Sequence, residues 1–292
     1  MRVIMTLVWR NLLVFFRDRS AVFFSFLSVL IIIGLYALFL ADTQAQSLKS
    51  LVGDISGIRF LVDSWIMAGL LAVNTVTVSL GALAVMVKDQ DKKVLRDFMV
   101  APLKRSNIVL SYILSSFIIG SVVSIVGLVV MEVYIYYSGG QLLAFEALLK
   151  VLALVLLCVL SSTALMFLIT SYIRSISAFS TLSTIIGTMI GFLAGIYVPI
   201  GVMPQAVQNL IKVVPTAHAA AILRQIFMEE PLRIVFKSAP REALETYKEM
   251  FGVVFKLDGT EISAETMLLY LSALTAVFII LGIVRVRYMR AK

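Results

Sequence analysis

IVLSYILSSFIIGSVVSIVGLVVM, residues 108–131, runs for 24 positions without a charged side chain. Wound as an α-helix at about 1.5 Å per residue, it is about 36 Å long, enough to cross a hydrocarbon layer of about 30 Å. Five further runs have the same character, at 21–40, 65–87, 148–171, 179–200 and 266–284. None carries a charge near its centre, where one Lys, Arg or Asp would cost about 2.5–3.5 kcal/mol. The pattern predicts an all-α integral membrane protein with six transmembrane helices. Composition agrees: 61% of the 292 residues are hydrophobic and 14% are charged, against about half and a quarter in soluble chains.

The flanking charges set an orientation. Arg2, Arg10, Arg17 and Arg19, the six Lys and Arg of loop 88–107, Arg174, and Arg285, Arg287, Arg290 and Lys292 fall on one side. The opposite short loops hold Lys49, Arg59 and Lys150. The positive-inside rule then places both termini in the cytoplasm and the long segment 201–264 outside. The first 20 residues lack a small-residue cleavage site, so no signal peptide is expected. Arg2, Thr6, Arg10 and Arg17 fall near one helical stripe with Val3, Leu7, Val14 and Phe15 largely off it, which suits a helix lying in the cytoplasmic interface.

Several function classes fall away. The net charge of +8 comes from residues at the ends of apolar runs rather than along one soluble face, so no nucleic-acid partner is expected. No GxxxxGK[ST] loop is present to cradle phosphates. His218 is the only histidine, with no second ligand for a metal, and reads as a structural residue. Cys158 is the only cysteine and reads as a small buried hydrophobe. No His or Asp is placed to activate a Ser or Thr, and Asp63, Glu132 and Lys150 sit at span ends rather than at mid-depth. Neither a membrane-embedded enzyme nor an ion-coupled carrier fits, and work against a gradient would need energy from another subunit. A non-transporting scaffold or sensor stays open at this level.

Charge is concentrated in DKKVLRDFMVAPLKRSN, residues 91–107. A 20-residue loop is longer than a helix connection needs, about 2–8 residues. Val94, Leu95, Phe98 and Met99 form an apolar stripe opposite Lys92, Lys93, Arg96 and Asp97, which predicts a short amphipathic helix ended by Pro102. Two further patterns concern helix faces. Gly187, Gly191 and Gly195 in the fifth run make two overlapping GxxxG units, with Ser180, Thr184 and Thr188 on much the same face. Such a face packs within the chain, meets a second subunit or lines a path. In the second run, Asn74, Thr77 and Gly81 lie close to one face, as path-lining groups or as interhelical hydrogen-bonding partners.

Two stretches resemble the signatures of ABC-2 type permeases, the membrane subunits of one class of ATP-binding-cassette exporters. KDQDKKVLRDFMVAPLKRSNIVLSYIL, 88–114, is similar to the family's acidic pair, leucine-rich turn and proline between spans two and three. GIYVPIGVMPQAVQNLIKVVPTAHAAAILRQ, 195–225, places Pro199, Pro204, Pro215 and Arg224 as the family's pattern after span five would have them. The six-span layout agrees. One departure stands beside the match: where the family often has Glu-x-Glu, Gly and a later Glu, this chain has Asp89, Gln90 and Asp91, then Lys93 and Arg96. A salt bridge using that later acid cannot form here in the same sense.

The resemblance implies a single transmembrane domain over 1–292, in the cell membrane, with an interfacial helix at 1–20, a coupling loop at 88–107 and an external re-entrant or helical segment at 201–264. It implies two copies of a separate ATP-binding subunit, which would hold ATP and Mg, and a second permease, identical or related; this chain itself would hold no cofactor. Asp89, Asp91, Lys92, Arg96, Phe98 and Pro102 would contact the ATPase. The expected cargo is an amphipathic drug, peptide or toxin moved outward, with a lipid-linked polysaccharide as the alternative. Residues 226–264 match no family motif. REALETYKEMF, 241–251, has helical composition with Glu242, Glu245 and Glu249 about one turn apart, and KLDGTEI, 256–262, reads as a strand–turn pair around Asp258 and Gly259. A solvated excursion is the simpler expectation there, and a folded cap the alternative.

Overall fold

A computed structural model describes residues 2–36, 46, 55, 57–94, 103–237, 239–257 and 259–288. The helices are α1 (Arg2–Arg17), α2 (Arg19–Leu35), α3 (Ile58–Asp91), α4 (Arg105–Tyr137), α5 (Phe145–Thr170), α6 (Ile176–Leu193), α7 (Gln205–Ile211), α8 (Pro215–Phe227), α9 (Glu229–Val235), α10 (Arg241–Met250) and α11 (Ala264–Tyr288). A two-stranded antiparallel hairpin, β1 (Lys256–Leu257) and β2 (Thr260–Glu261), precedes α11. Five helices, α3, α4, α5, α6 and α11, are long and apolar enough to cross a membrane, and the pair α7–α8, bent by 86°, makes a broken span or a re-entrant loop. The fold is therefore all-α and multi-pass. Of the six expected spans, five coincide with these long helices; the first falls on α2, whose described part has 17 residues.

The centre of the bundle is α3, which packs against α4, α5, α6 and α8. Its residues are buried on nearly every side, as suits a mainly apolar helix in the middle of an assembly rather than at its edge. In lipid no water-driven force brings helices together, so close packing depends on small side chains. On α4 these are Ser116, Gly120 and Ser124, spaced four apart. A Cβ on Gly120 would come within 2.7 Å of Val159 and 3.1 Å of the Ser79 hydroxyl. Ser116 donates to the Ser79 carbonyl at 2.9 Å, and the Asn74 amide reaches the Ser124 hydroxyl at 3.5 Å.

Three expectations are corrected. The loop 88–107 is shorter than expected, because α3 continues through Asp91 and α4 begins at Arg105. Backbone hydrogen bonding does not stop where hydrophobicity does, and α3 ends only where Lys93 adopts φ +62°. The helix expected around Arg96, Phe98 and Pro102 lies outside the described residues. The glycine ladder of the fifth run is interrupted, since α6 ends at Leu193 and Gly195 sits beyond it at φ +63°, a turn conformation that costs an L side chain strain. Finally, 226–264 is folded rather than a solvated excursion. Phe227, Leu232, Val235, Phe236, Tyr247 and Phe251 are buried, with Tyr247 stacked on Phe251 at 4.3 Å between ring centroids. The helix at 241–250 and the hairpin form where the local patterns place them, with Lys256 paired to Glu261 and Leu257 to Thr260.

Candidate functional site

The two ends of the bundle are joined by α3, which at 34 residues is about 50 Å long. At the end where α1 and the α3–α4 connection meet, Asp89 is 6% exposed despite its charge. Arg10 of α1 forms a two-pronged ion pair with it, one prong 2.9 Å from Arg10 Nη2 to Oδ1, and the Tyr112 hydroxyl of α4 donates to Oδ2 at 2.6 Å. Bidentate guanidinium–carboxylate pairs fix orientation as well as distance. One carboxylate thus ties three helices. Next to it Asn11, also buried, reaches the Ser111 hydroxyl at 3.5 Å, while Val8 and Phe15 bury the apolar side of α1. The opposite side of α1 exposes Met5, Trp9, Leu13 and Phe16, an apolar surface with a Trp of the kind found at the membrane interface.

Asp89 is therefore an internal fastener and not a surface contact. Asp91 and Lys92, by contrast, are exposed just beyond it, and Lys88 reaches Asp18 at 3.3 Å. Sequence reading missed Arg10 and Tyr112 as partners. Its signal would have been a charged residue within an otherwise apolar helix face, which must find an opposite charge to be buried.

At the opposite end the same device recurs. Asp63, 1% exposed, accepts from Arg59 Nε at 3.2 Å and from the Tyr134 hydroxyl at 3.4 Å. Two residues on along α3, Trp65 meets the residue that organises the rest of this end, Arg224 of α8, fully buried. Its Nη2 donates to the carbonyls of Ala194 at 2.8 Å and Gly195 at 3.0 Å, and its Nη1 to Gly252 at 3.4 Å. Its cationic carbon stands 5.1 Å from the Trp65 ring centroid. The first two acceptors are the last carbonyls after α6, the negative end of that helix, so a buried cation is offset there by backbone dipoles and a ring face. The Trp65 indole N–H meanwhile donates to the Phe251 carbonyl at 2.7 Å. Arg224 and Trp65 thus pin α6, α8, α3 and the loop after α10 to one another. Burial pushes the pKa of the adjoining Tyr247 hydroxyl up, while Arg224 pulls it the other way.

Three prolines have local roles. Pro199 precedes a short 3-10 turn at Ile200–Val202, Pro204 caps α7, and Pro215 is the first residue of α8, where its missing N–H costs nothing. His218 is buried on the same helix, its Nε2 2.7 Å from the Lys212 carbonyl and its ring against Tyr270 and Phe255, a structural placement.

The remaining candidates do not form one surface. Asn74 is buried between α3 and α4, Thr77 is half-buried with its hydroxyl on its own helix, and Gly81 faces open space. On α6, Thr184 and Thr188 are exposed, and each hydroxyl donates to the carbonyl four residues back. A Cβ at Gly187 would touch nothing within 4 Å, whereas one at Gly191 would lie 2.3 Å from the Tyr197 ring. Among the described residues, then, Gly187 meets no neighbour and Gly191 lies under Tyr197.

These features define a class: a multi-pass helical membrane protein whose central helix is tied to its neighbours by a buried carboxylate at each end. Residues 2–228 match the ABC-2 type transporter family, so the chain belongs to it. It is a permease subunit of an ABC transporter, and an ATP-binding subunit is its partner. The match ends at Met228, so Arg224 lies inside it and the Gly252 carbonyl it grips lies outside. A search among curated proteins finds no match.

Proposed function

We propose that this chain is half of an export path, paired with a second permease and driven by two ATP-binding subunits that hold ATP and Mg. Both termini and the α3–α4 connection face the cytoplasm, and segment 201–264 caps the outside. The cargo is an amphipathic drug, peptide or toxin; a lipid-linked polysaccharide is the second reading, kept because the same architecture would serve it. The positive-inside distribution of Lys and Arg supports the orientation. The observation that carries the reading is the Asp89 tie. It stands two residues before the exposed Asp91, at the base of the connection where an ATPase would push, and links that point to α1 and α4.

In this reading Asp91, Lys92, Arg96, Phe98 and Pro102 make the docking surface, and Asp89 passes its movement into the bundle. The exposed α6 face with Thr184, Gly187 and Thr188 meets the second permease or lines the path between them. Truncating an aromatic anchor at a docking interface often costs about 2 kcal/mol or more, while an exposed charge contributes under about 1 kcal/mol. At equal membrane abundance, Phe98→Ala is expected to weaken co-purification with the ATPase, or uncouple its hydrolysis from export, more than Lys92→Ala does. Wild-type behaviour in both variants would remove the coupling role. A tag near residue 92 that reacts only from outside the cell would overturn the orientation.

A further inference from the structure

Where α5, α6 and α11 end at the basic side of the bundle, they leave a groove of about 810 Å³ between α6 and α11. Its walls are Leu168, Ile169, Ile173, Leu182, Leu281 and Val284, and at its mouth stand Tyr172 and Arg285. Arg285 is the first charged residue of α11 after Glu265, so it closes the apolar run of that helix on the side where the apolar walls give way to charge. Arg285 donates from Nε to the Ser171 hydroxyl and from Nη2 to the Ser171 carbonyl, both at 3.2 Å, and lies 4.1 Å over the Tyr172 ring. These partners are neutral. Among the described residues Arg285 has no ion pair with a carboxylate, and the exposed Arg174 lies three residues beyond Ser171. The sequence continues with Arg287, Arg290 and Lys292.

We propose that this groove holds one anionic phospholipid, its phosphate on Arg285 and an acyl chain along the apolar walls. Charge complementarity selects the headgroup. An arginine held in place by Ser171 and Tyr172 is pre-organised, and its planar fork suits a phosphate oxygen pair. Basic pockets between membrane helices are of the kind that hold acidic lipid headgroups. The apolar part selects a chain rather than water, since a groove walled by Leu, Ile and Val in a bilayer offers water no partners. A second permease is not required to fill it. At about 100° per residue, Leu182 and Gly191 point to opposite sides of α6, so a subunit seated on the glycine and threonine face leaves the Leu182 side open.

The test uses the full chain, purified in nonionic detergent after exposure to mixed micelles with equal amounts of phosphatidylglycerol and phosphatidylcholine, with bound lipid counted by native mass spectrometry. The wild type is expected to retain phosphatidylglycerol preferentially, by about fivefold for each basic residue that contacts the phosphate. Arg285→Gln should bring the preference towards unity, and Arg285→Lys should keep part of it. Leu281→Trp fills the groove while leaving Arg285 in place and should reduce retention of both lipids; this variant carries the test if Arg285→Gln does not accumulate. An undiminished preference in Arg285→Gln, or unchanged retention in Leu281→Trp, would overturn the proposal. So would displacement of the lipid by millimolar inorganic phosphate, which would mean that the arginine reads a free anion. Cross-linking of Leu182→Cys to a second copy of the chain would equally refute it, by showing that protein covers the groove.

Discussion

Replacing Asp89 by Ala removes the carboxylate that Arg10 grips with two prongs and the acceptor of the Tyr112 hydroxyl. Removing one member of a buried ion pair typically costs about 3–5 kcal/mol. The Asp89 side chain is 9% exposed but that of Arg10 is 32%, so water can reach the guanidinium, and about 2 kcal/mol is the better figure. An unsatisfied buried hydroxyl adds about 1 kcal/mol, bringing the total to about 3 kcal/mol. Most of it bears on the docking of α1, because Arg10 is the charged member that belongs to that helix. A change of that size shifts the docked–undocked equilibrium by about a hundredfold.

The assay is maleimide labelling of Val8→Cys, a position 2% exposed on the docked face of α1, in a Cys158→Ala background that removes the only native thiol. Labelling under native conditions should accelerate by about a hundredfold in Asp89→Ala when opening precedes modification. Replacing both charges together, Arg10→Met with Asp89→Leu, should recover much of the protection, because it removes the cation together with the carboxylate it grips. A labelling rate within about threefold of the parent in Asp89→Ala would refute the reasoning and reduce the tie to a surface-like contact.

Other perturbations separate packing from open faces. Gly120→Ala forces a Cβ to within 2.7 Å of Val159 and should lower the thermal unfolding temperature in detergent, at a cost of about 1–3 kcal/mol, whereas Gly81→Ala enters open space and should leave it unchanged or raise it. Gly187→Leu should leave the stability of the single chain unchanged yet reduce permease pairing, read by native mass; a variant that pairs normally assigns that face to lipid. Gly191→Leu, in contrast, must displace Tyr197 and should destabilise the chain itself, read as a lower unfolding temperature. Arg224→Met strips the Ala194 and Gly195 carbonyls of their donor, at about 1–3 kcal/mol each, so limited proteolysis within 229–261 should quicken, and a wild-type cleavage rate would contradict the pinning role.

The sequence by itself determined what is local. Uncharged runs of membrane length marked the long helices, the composition of 241–251 marked α10, and the Lys256–Ile262 stretch marked the hairpin. The break after α6 was not legible there, since the fifth run reads as one apolar stretch through residue 200 while the helix ends at Leu193. Two motifs in their topological slots also pointed to the family that residues 2–228 match.

Which residues meet was decided only by the tertiary structure. Asp89 pairs with a residue 79 positions away, and Arg224 gathers carbonyls 28 to 30 positions away on either side. The glycine pattern of the fifth run left open a packing seam, a subunit contact or a path lining, whereas Ser116, Gly120 and Ser124 on α4 are among the small residues that pack against α3. The physical reason lies in the solvent. In water, hydrophobic periodicity tells a helix which way to face; in a bilayer the lipid-facing and protein-facing sides are both apolar, and α3 carries almost no directional signal of this kind. Pairing then falls to steric fit and to a few buried polar groups, which take their meaning from partners that only the folded chain brings within reach.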